Sequence, residues 1–319
     1  MVKRLKDKIN ITKLVKICGN AMTVIAFLYI IQKMINMGID YSKILTKNNI
    51  SIIIVLCVMY AICVCASSIP WKMLIEIIVQ KRLSCKTVSY VYCKSNIYKY
   101  VPGNVFQYVG RNEIAVNYSL KHADIILATG MDVLMTLISI GMLSIAFYYD
   151  GVLRWFKQIN LLKGPIIFIF LIAVILLIIL FRNKITGLIK VLKNFSKNEN
   201  ILQLFLCILL YMLIGFIYGI IYFIVIKTVL DNNIDNSLFR TIIGGYLISW
   251  IAGYITPGAP GGIGIREVTI SFVLSGVLDP ELSMLGIIIY RLISIVGDLL
   301  AYAFTNLIQK NKNILNIPL

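Results

Sequence analysis

The chain has 319 residues, 59% of them hydrophobic, with a mean hydropathy of +0.88, and its long continuous apolar runs exclude a soluble globule. Those runs are rich in Ile and Leu and lack the alternation that outer-membrane barrel strands need. The net charge of +17 would point to nucleic acid in a soluble protein, but here the basic residues fall between apolar runs, where they set topology and can meet anionic lipid headgroups. An all-α, polytopic membrane protein with about seven to eight transmembrane helices is predicted, with 1–319 forming a single membrane domain and no nucleic-acid partner.

Lys3, Arg4, Lys6, Lys8, Lys13 and Lys16 precede an apolar run from Ile17 to about Met37. No small-residue cleavage site follows, so residues 1–16 read as a basic cytoplasmic tail ahead of a retained first helix. A second span, Ile50 to Ile69, is expected to close at Pro70, with Trp71 as an interface anchor. Residues 72–123 are the least regular. Their basic residues return the chain to the cytoplasmic side, and the half-apolar pieces Val88 to Val101 and Val105 to Val116 are each too short to cross. They read as a re-entrant pair, against the alternative of an amphipathic hairpin lying on the membrane.

Further spans are predicted near Asp124 to Tyr149, Gly164 to Phe181, Ile201 to Ile226, Phe239 to Tyr254 and Met284 to Ile308. The Lys-rich loop 182–199 and Lys310 and Lys312 place both chain ends in the cytoplasm, which requires an even number of crossings. Gly262 to Leu278 is the candidate for the eighth, as a broken, short span. The seven cysteines are odd in number and several lie inside apolar runs, so neither disulfides nor a metal site is expected. His122 stands where a span begins; an interfacial place and a proton-relay role are its two readings.

Two segments echo one another: PGNVFQYVGR at Pro102 to Arg111 and PGAPGGIGIR at Pro257 to Arg266. Each is Pro-Gly, seven residues, then Arg, with Glu113 and Glu267 close behind. Broken backbone inside a membrane needs surrounding protein or a water-filled cavity, and arginine there more readily meets an anion than lipid tails. Arginine suits phosphate because its planar fork gives bidentate bonds, and Gly258, Gly262 and Gly264 would let backbone N–H groups approach the same anion. Arg111 and Arg266 are thus expected to share one phosphate. Glu113 and Glu267 read as first-turn acids and counter-ions to the arginines, or as carriers of a transported proton. In the last span Arg291 and Asp298 lie on nearly one face; Asp298 and Asp132 are deep acids that should pair internally, either structurally or along a substrate route. Tyr100, Tyr108, Tyr254 and Tyr290 surround these charges in sequence. The glycine cluster is not a nucleotide fingerprint, since it lacks a preceding strand and a Lys-Ser/Thr.

The segment PGAPGGIGIREVTISFVL resembles the Pro-Gly-Gly-x-Gly-x-Arg-Glu signature of the lysylphosphatidylglycerol synthase transmembrane region, also called the flippase-like or uncharacterised membrane protein 0104 family. YVPGNVFQYVGR resembles that family's first motif and YRLIS at Tyr290 to Ser294 its final-span motif. The resemblance implies an inner-membrane fold with re-entrant elements and carries over Arg111, Arg266, Glu267 and Arg291. Family members with a soluble synthase domain make and flip aminoacylated phosphatidylglycerol, and others sit beside glycosyltransferase modules; this chain is expected to be the membrane region without the synthase domain. It also departs from the pattern at Asn104 to Gln107, where many relatives carry a more polar run.

The leading expectation is a translocase for a phosphate-bearing lipid, an aminoacylated phospholipid or a lipid-linked glycan intermediate, in the cytoplasmic membrane. The competing readings are a membrane-embedded transferase using Glu113, Glu267 or Asp298 as general base, and an accessory subunit of envelope synthesis. No catalytic motif, cofactor or metal is expected. Membrane lipids and envelope-biosynthesis enzymes are the expected partners.

Overall fold

The computed structural model describes residues 46–100, 105–151, 198–230, 233–256 and 260–315. The expected spans at 17–37 and 164–181, and the Pro-Gly pairs of both motifs, Gly258 included, lie outside the described residues. Helix α1 (Lys47–Val79) begins at Thr46, whose hydroxyl accepts the Asn49 N–H at 3.3 Å, and ends at Gln80 in the left-handed conformation. It does not close at Pro70. The helix runs on through the proline, as membrane helices allow, and the Cys207 thiol packs beside it, 3.7 Å from the Pro70 carbonyl oxygen.

Helix α2 (Cys85–Asn96), the 3-10 turn Ile97–Tyr100 and α3 (Phe106–Val116) form a hairpin that re-enters the bundle. Its contacts with α1 run in opposite numerical order. Leu83 N–H donates to Glu76 Oε1 at 2.5 Å, the Ser89 and Ser68 hydroxyls are 2.7 Å apart, Cys93 and Cys65 sulfurs 3.9 Å, and Lys99 Nζ reaches Tyr60 Oη at 3.4 Å. The turn therefore sits beside the middle of α1, inside the helix bundle. Helix α3 then descends along α2, with Arg111 Nε donating to Ser95 Oγ at 3.4 Å.

Helices α4 (His122–Phe147), α5 (Asn198–Ile224, continued by a π-helical turn, Val225–Leu230), α6 (Phe239–Ile255), α7 (Ile265–Leu274) and α8 (Pro280–Leu315) complete the described set. Five segments are long and apolar enough to cross a membrane: Lys47–Val79, His122–Phe147, Asn200–Leu230, Asn236–Ile255 and Pro280–Gln309. The short α7 is not among them. At 1.5 Å per residue its ten residues reach about 15 Å, half of the hydrocarbon layer.

Helix α7 runs back along α6. Ser249 Oγ donates to the Arg266 carbonyl at 3.0 Å, a Cβ on Gly245 would lie 2.5 Å from Leu274 Cδ2, and Tyr148 at the end of α4 donates to the Val273 carbonyl at 2.5 Å. The expected eighth crossing over 262–278 is thus the returning arm of a second hairpin: after α6 the chain turns back at the Pro260–Gly262 3-10 turn, and the ten-residue α7 is too short to cross by itself. Asn49, near the start of α1, donates to the carbonyl of Val229 at the end of α5, so α6 sets out from the end where α1 begins. The α2–α3 hairpin enters where α1 finishes. The hairpins enter from opposite ends and their tips meet: a Cβ on Gly261 would sit 3.9 Å from the Tyr100 ring.

Where lipid replaces water, helices associate by close packing rather than by the hydrophobic effect. Gly297 of α8 lets Tyr60 of α1 approach so closely that a Cβ there would be 2.6 Å from its ring. Tyr60, Tyr222, Tyr246 and Tyr290 interlock in the core, with Tyr246 and Tyr290 centroids 4.8 Å apart. Ile54, Ile62, Leu134, Ile138 and Phe304 stay exposed, forming the apolar exterior that lipid tails require.

In a variant that keeps Cys65 and Cys93 as its sole cysteines, mild oxidation should join them within one chain, read as loss of alkylation on both. Full alkylation of both thiols after oxidation would show that α2 does not pack into α1 as described.

Candidate functional site

A cavity of about 160 Å³ lies where the two tips meet, lined from α1 through α8 and containing Lys99, Arg111, Arg266 and Arg291 on its wall. Four cations in an apolar bundle are costly unless matched. Three are matched. Arg111 Nη1 is 2.7 Å from Asp132 Oδ2, Arg291 Nε is 3.1 Å from Glu267 Oε1, and Lys99 Nζ is 2.7 Å from Asp298 Oδ2.

The first pair is the most enclosed. Arg111 is 2% exposed; its guanidinium carbon lies 4.0 Å from the Tyr92 ring centre and 5.1 Å from that of Trp71, and Tyr211 donates a hydroxyl to the other oxygen of Asp132. Trp71 is therefore no interface anchor: it is 1% exposed, its face spent on Arg111. Glu113 does not act as the counter-ion to Arg111. It sits late in α3 rather than in its first turn, and its side chain is exposed while Asp132 holds the arginine.

The second pair is built by the α7 turn. Gly264, at φ 84°, caps α7 and donates its N–H to Glu267 Oε2 at 2.8 Å, so Glu267 is the first-turn acid expected of it. Its counter-ion is Arg291 rather than the adjacent Arg266, and Arg291 also donates to the Gly261 carbonyl at 3.2 Å. The third pair ties the first hairpin tip to α8. Asp298 is fully buried and accepts from Asn96 at 2.7 Å and from the Tyr100 hydroxyl as well as from Lys99. Asp298 and Arg291 share a helix, yet they serve different pairs.

Arg266 has no ion pair among the described residues, and its buried Nε has no hydrogen-bond partner there. Its guanidinium lies 5.7 Å from the Trp250 ring centre, and Trp250 stacks on Tyr254 at 4.5 Å. Two glycines make room for it. A Cβ on Gly253 would fall 2.5 Å from Arg266 Cγ, and one on Gly262, at φ 76°, would fall 2.9 Å from Arg266 Nε and 2.8 Å from Gly253 Cα. Tyr108 and Tyr254 join hydroxyls at 2.7 Å beside the same space, whereas Tyr290 belongs to the core cluster. His122 lies at the start of α4, paired with Asn112 at 2.9 Å on the exposed surface.

Residues 39–301 match the family model described as lysylphosphatidylglycerol synthase TM region. The chain belongs to this family. No curated protein and no solved structure matches the chain. Membership in the lysylphosphatidylglycerol synthase TM region family makes the protein a multi-pass membrane protein with a membrane-lipid-related function.

Of the residues that sequence reasoning gathered, Arg111, Arg266 and Arg291 line one cavity, Glu267 and Asp298 stand behind it as partners of Arg291 and Lys99, and Glu113 lies apart on the exposed face of α3. Sequence reasoning missed Lys99, Asn96, Trp250 and Gly253. The Lys99-Tyr100 pair just before the first Pro-Gly was the available signal for Lys99, since a lysine between half-apolar pieces needs a deep acid. Nothing in the sequence assigned Trp250 or Gly253 to Arg266.

Removing one member of a buried ion pair leaves an uncompensated charge, at a cost of about 3 to 5 kcal/mol. Asp132→Asn and Arg111→Met should each lower the unfolding temperature in detergent sharply, while the combined Arg111→Met/Asp132→Leu variant should recover part of that loss. Equal stability of the single variants and the parent would remove this pair from the scaffold.

Proposed function

We propose that this chain moves a phosphate-bearing lipid between the leaflets of the cytoplasmic (inner) membrane. The observation that carries the reading is Arg266, the cavity cation left unmatched among the described residues, set into a wall where an anion would complete the balance. A guanidinium keeps its charge when desolvated and can grip two phosphate oxygens at once. Arg111 and Arg291 add N–H groups to the wall while their charges are already met by Asp132 and Glu267. Access from the bilayer fits the same helix: α7 turns Arg266 toward the cavity and leaves Val268 and Phe272 exposed on the apolar surface. A lipid could place its headgroup inside and keep its tails outside.

A transferase would need a free acid or base within hydrogen-bond reach of the reacting group. Asp132, Glu267 and Asp298 are each held by a cation, and Glu113 faces outward, which favours movement over chemistry.

Purified protein in liposomes carrying a headgroup-labelled phospholipid tests this directly. Movement of unchanged label between leaflets supports translocation; a new lipid product would establish the transferase instead, and neither would leave an accessory role. Arg266→Gln should slow movement about tenfold or more, as expected for losing a charge-assisted contact of about 1.5 to 3 kcal/mol. Arg266→Lys should restore part of the rate, since lysine keeps the charge but loses the fork.

A further inference from the structure

Another cation is carried into the bundle outside the cavity, on the face of α2 that turns away from it. Tyr92 and Asn96 of α2 line the cavity and Val88, Val91 and Cys93 are buried, whereas Lys86, Tyr90, Lys94 and Tyr98 follow one another at steps of four residues, which lines them up on one side of the helix. Lys86 is exposed in the first turn, and Tyr90 and Lys94 are half-buried. Lys94 comes nine residues after Cys85, about 14 Å along the helix, and its neighbour Cys93 meets Cys65 in the middle of α1. It therefore lies well below the end at which the hairpin enters.

Its charge has no counter-ion. Lys94 takes part in no ion pair among the described residues, and the titratable side chains that bear on it are Tyr90, Tyr302 and Tyr98, with no carboxylate among them. Nζ donates to Tyr90 Oη at 3.0 Å and lies 5.2 Å from that ring's centre, and the Tyr90 ring tilts against Tyr302 of α8 with centroids 6.4 Å apart. An ammonium has three N–H groups, so two are left without an acceptor among the described residues.

The surroundings favour a lipid as the source of that acceptor. Long helical side chains lean back toward the start of their helix, and Lys94 leans on Tyr90, toward the end from which a headgroup would come. At that end Lys81, Arg82 and Lys86 are exposed, a cluster that gathers anionic lipids against the hairpin. Leu299, one turn before Tyr302 on α8, is 52% exposed and gives an acyl chain apolar surface to lie on.

We infer that the groove between α2 and α8, at Tyr90, Lys94 and Tyr302, holds the phosphate of an anionic phospholipid taken from the leaflet at which the hairpin enters. This lipid site is separate from the cavity and requires neither the cavity nor translocation. The phosphate supplies the missing counter-ion, and the bound lipid braces the first hairpin against α8.

Native mass spectrometry of the full chain in detergent with phosphatidylglycerol should show one lipid whose retention falls about tenfold in Lys94→Gln, survives in Lys94→Arg and is unchanged in Arg266→Gln. The parent protein offers a second reading that needs no variant. In nanodiscs of phosphatidylglycerol, acylation of Lys94 by an amine-reactive reagent, measured against Lys86, should be about fivefold slower than in nanodiscs of phosphatidylcholine, whose phosphate is already balanced by its own choline. Equal retention by Lys94→Gln and the parent, or equal acylation in the two lipids, would overturn the site. Retention lost in Arg266→Gln and kept in Lys94→Gln would return the lipid to the cavity. Displacement of the lipid by an equal concentration of inorganic phosphate would overturn its assignment to a lipid.

Discussion

Charge in hydrocarbon must be balanced locally, because neither water nor salt is at hand to screen it. That constraint accounts for much of this architecture. Arg111 is met by Asp132 from α4, Arg291 by Glu267 from α7, and Lys99 by Asp298 from α8, so each pair joins two different elements and the last joins the first hairpin to the final helix. Breaking any pair would strand a buried charge, and the pairs therefore fix which hairpin faces which helix. Leu and Ile packing against similar neighbours could not specify this alone, since lipid tails compete for the same apolar surface.

The pairs also explain why two irregular turns can sit deep in the bundle. The Ile97–Tyr100 turn is held by Lys99 and Tyr100 on Asp298, and the Pro260–Gly262 turn by Arg291 on the Gly261 carbonyl. Each tip is anchored to α8. That helix packs along α1 through Gly297, so the two hairpins, though they enter from opposite ends, share a single support.

Much of this was legible in the sequence, for physical reasons that also mark the limit. Long apolar runs identify spans because helices alone satisfy their own backbone in lipid. The half-apolar pieces around Val88 and Val105 exposed the first hairpin, since neither could cross by itself. Pro70 misled because a membrane helix can run through a proline, as α1 does from Lys47 to Val79, and the sequence alone does not display which prolines end a helix. Trp71 read as an interfacial residue for the same reason: an indole beside a helix-breaking proline looks like a border until Arg111 is seen against it. Glu113 was the counter-ion expected for Arg111 by nearness in sequence, while Asp132, read as a deep acid with no named partner, is the one that holds it. On α3, Arg111 faces inward and Glu113, two residues on, faces out. The reach of α7 was hidden in the same way. A broken apolar stretch reads alike whether it crosses or turns back, and the close approach of Gly253 to Gly262 decides between them.

The Arg266 guanidinium, unmatched among the described residues, also bears on the integrity of the membrane. A polar cavity between leaflets is a hazard, because water inside it could conduct protons or sodium and dissipate the gradients that the cell lives on. Fixed positive charge in a narrow aqueous space raises the barrier to cations, as it does in water-selective pores. Arg266 supplies that charge at the meeting point of the two hairpin tips. On the translocase reading proposed above, the residue that would take the phosphate of a passing lipid would also, between such visits, act as an electrostatic plug that keeps the bilayer insulating.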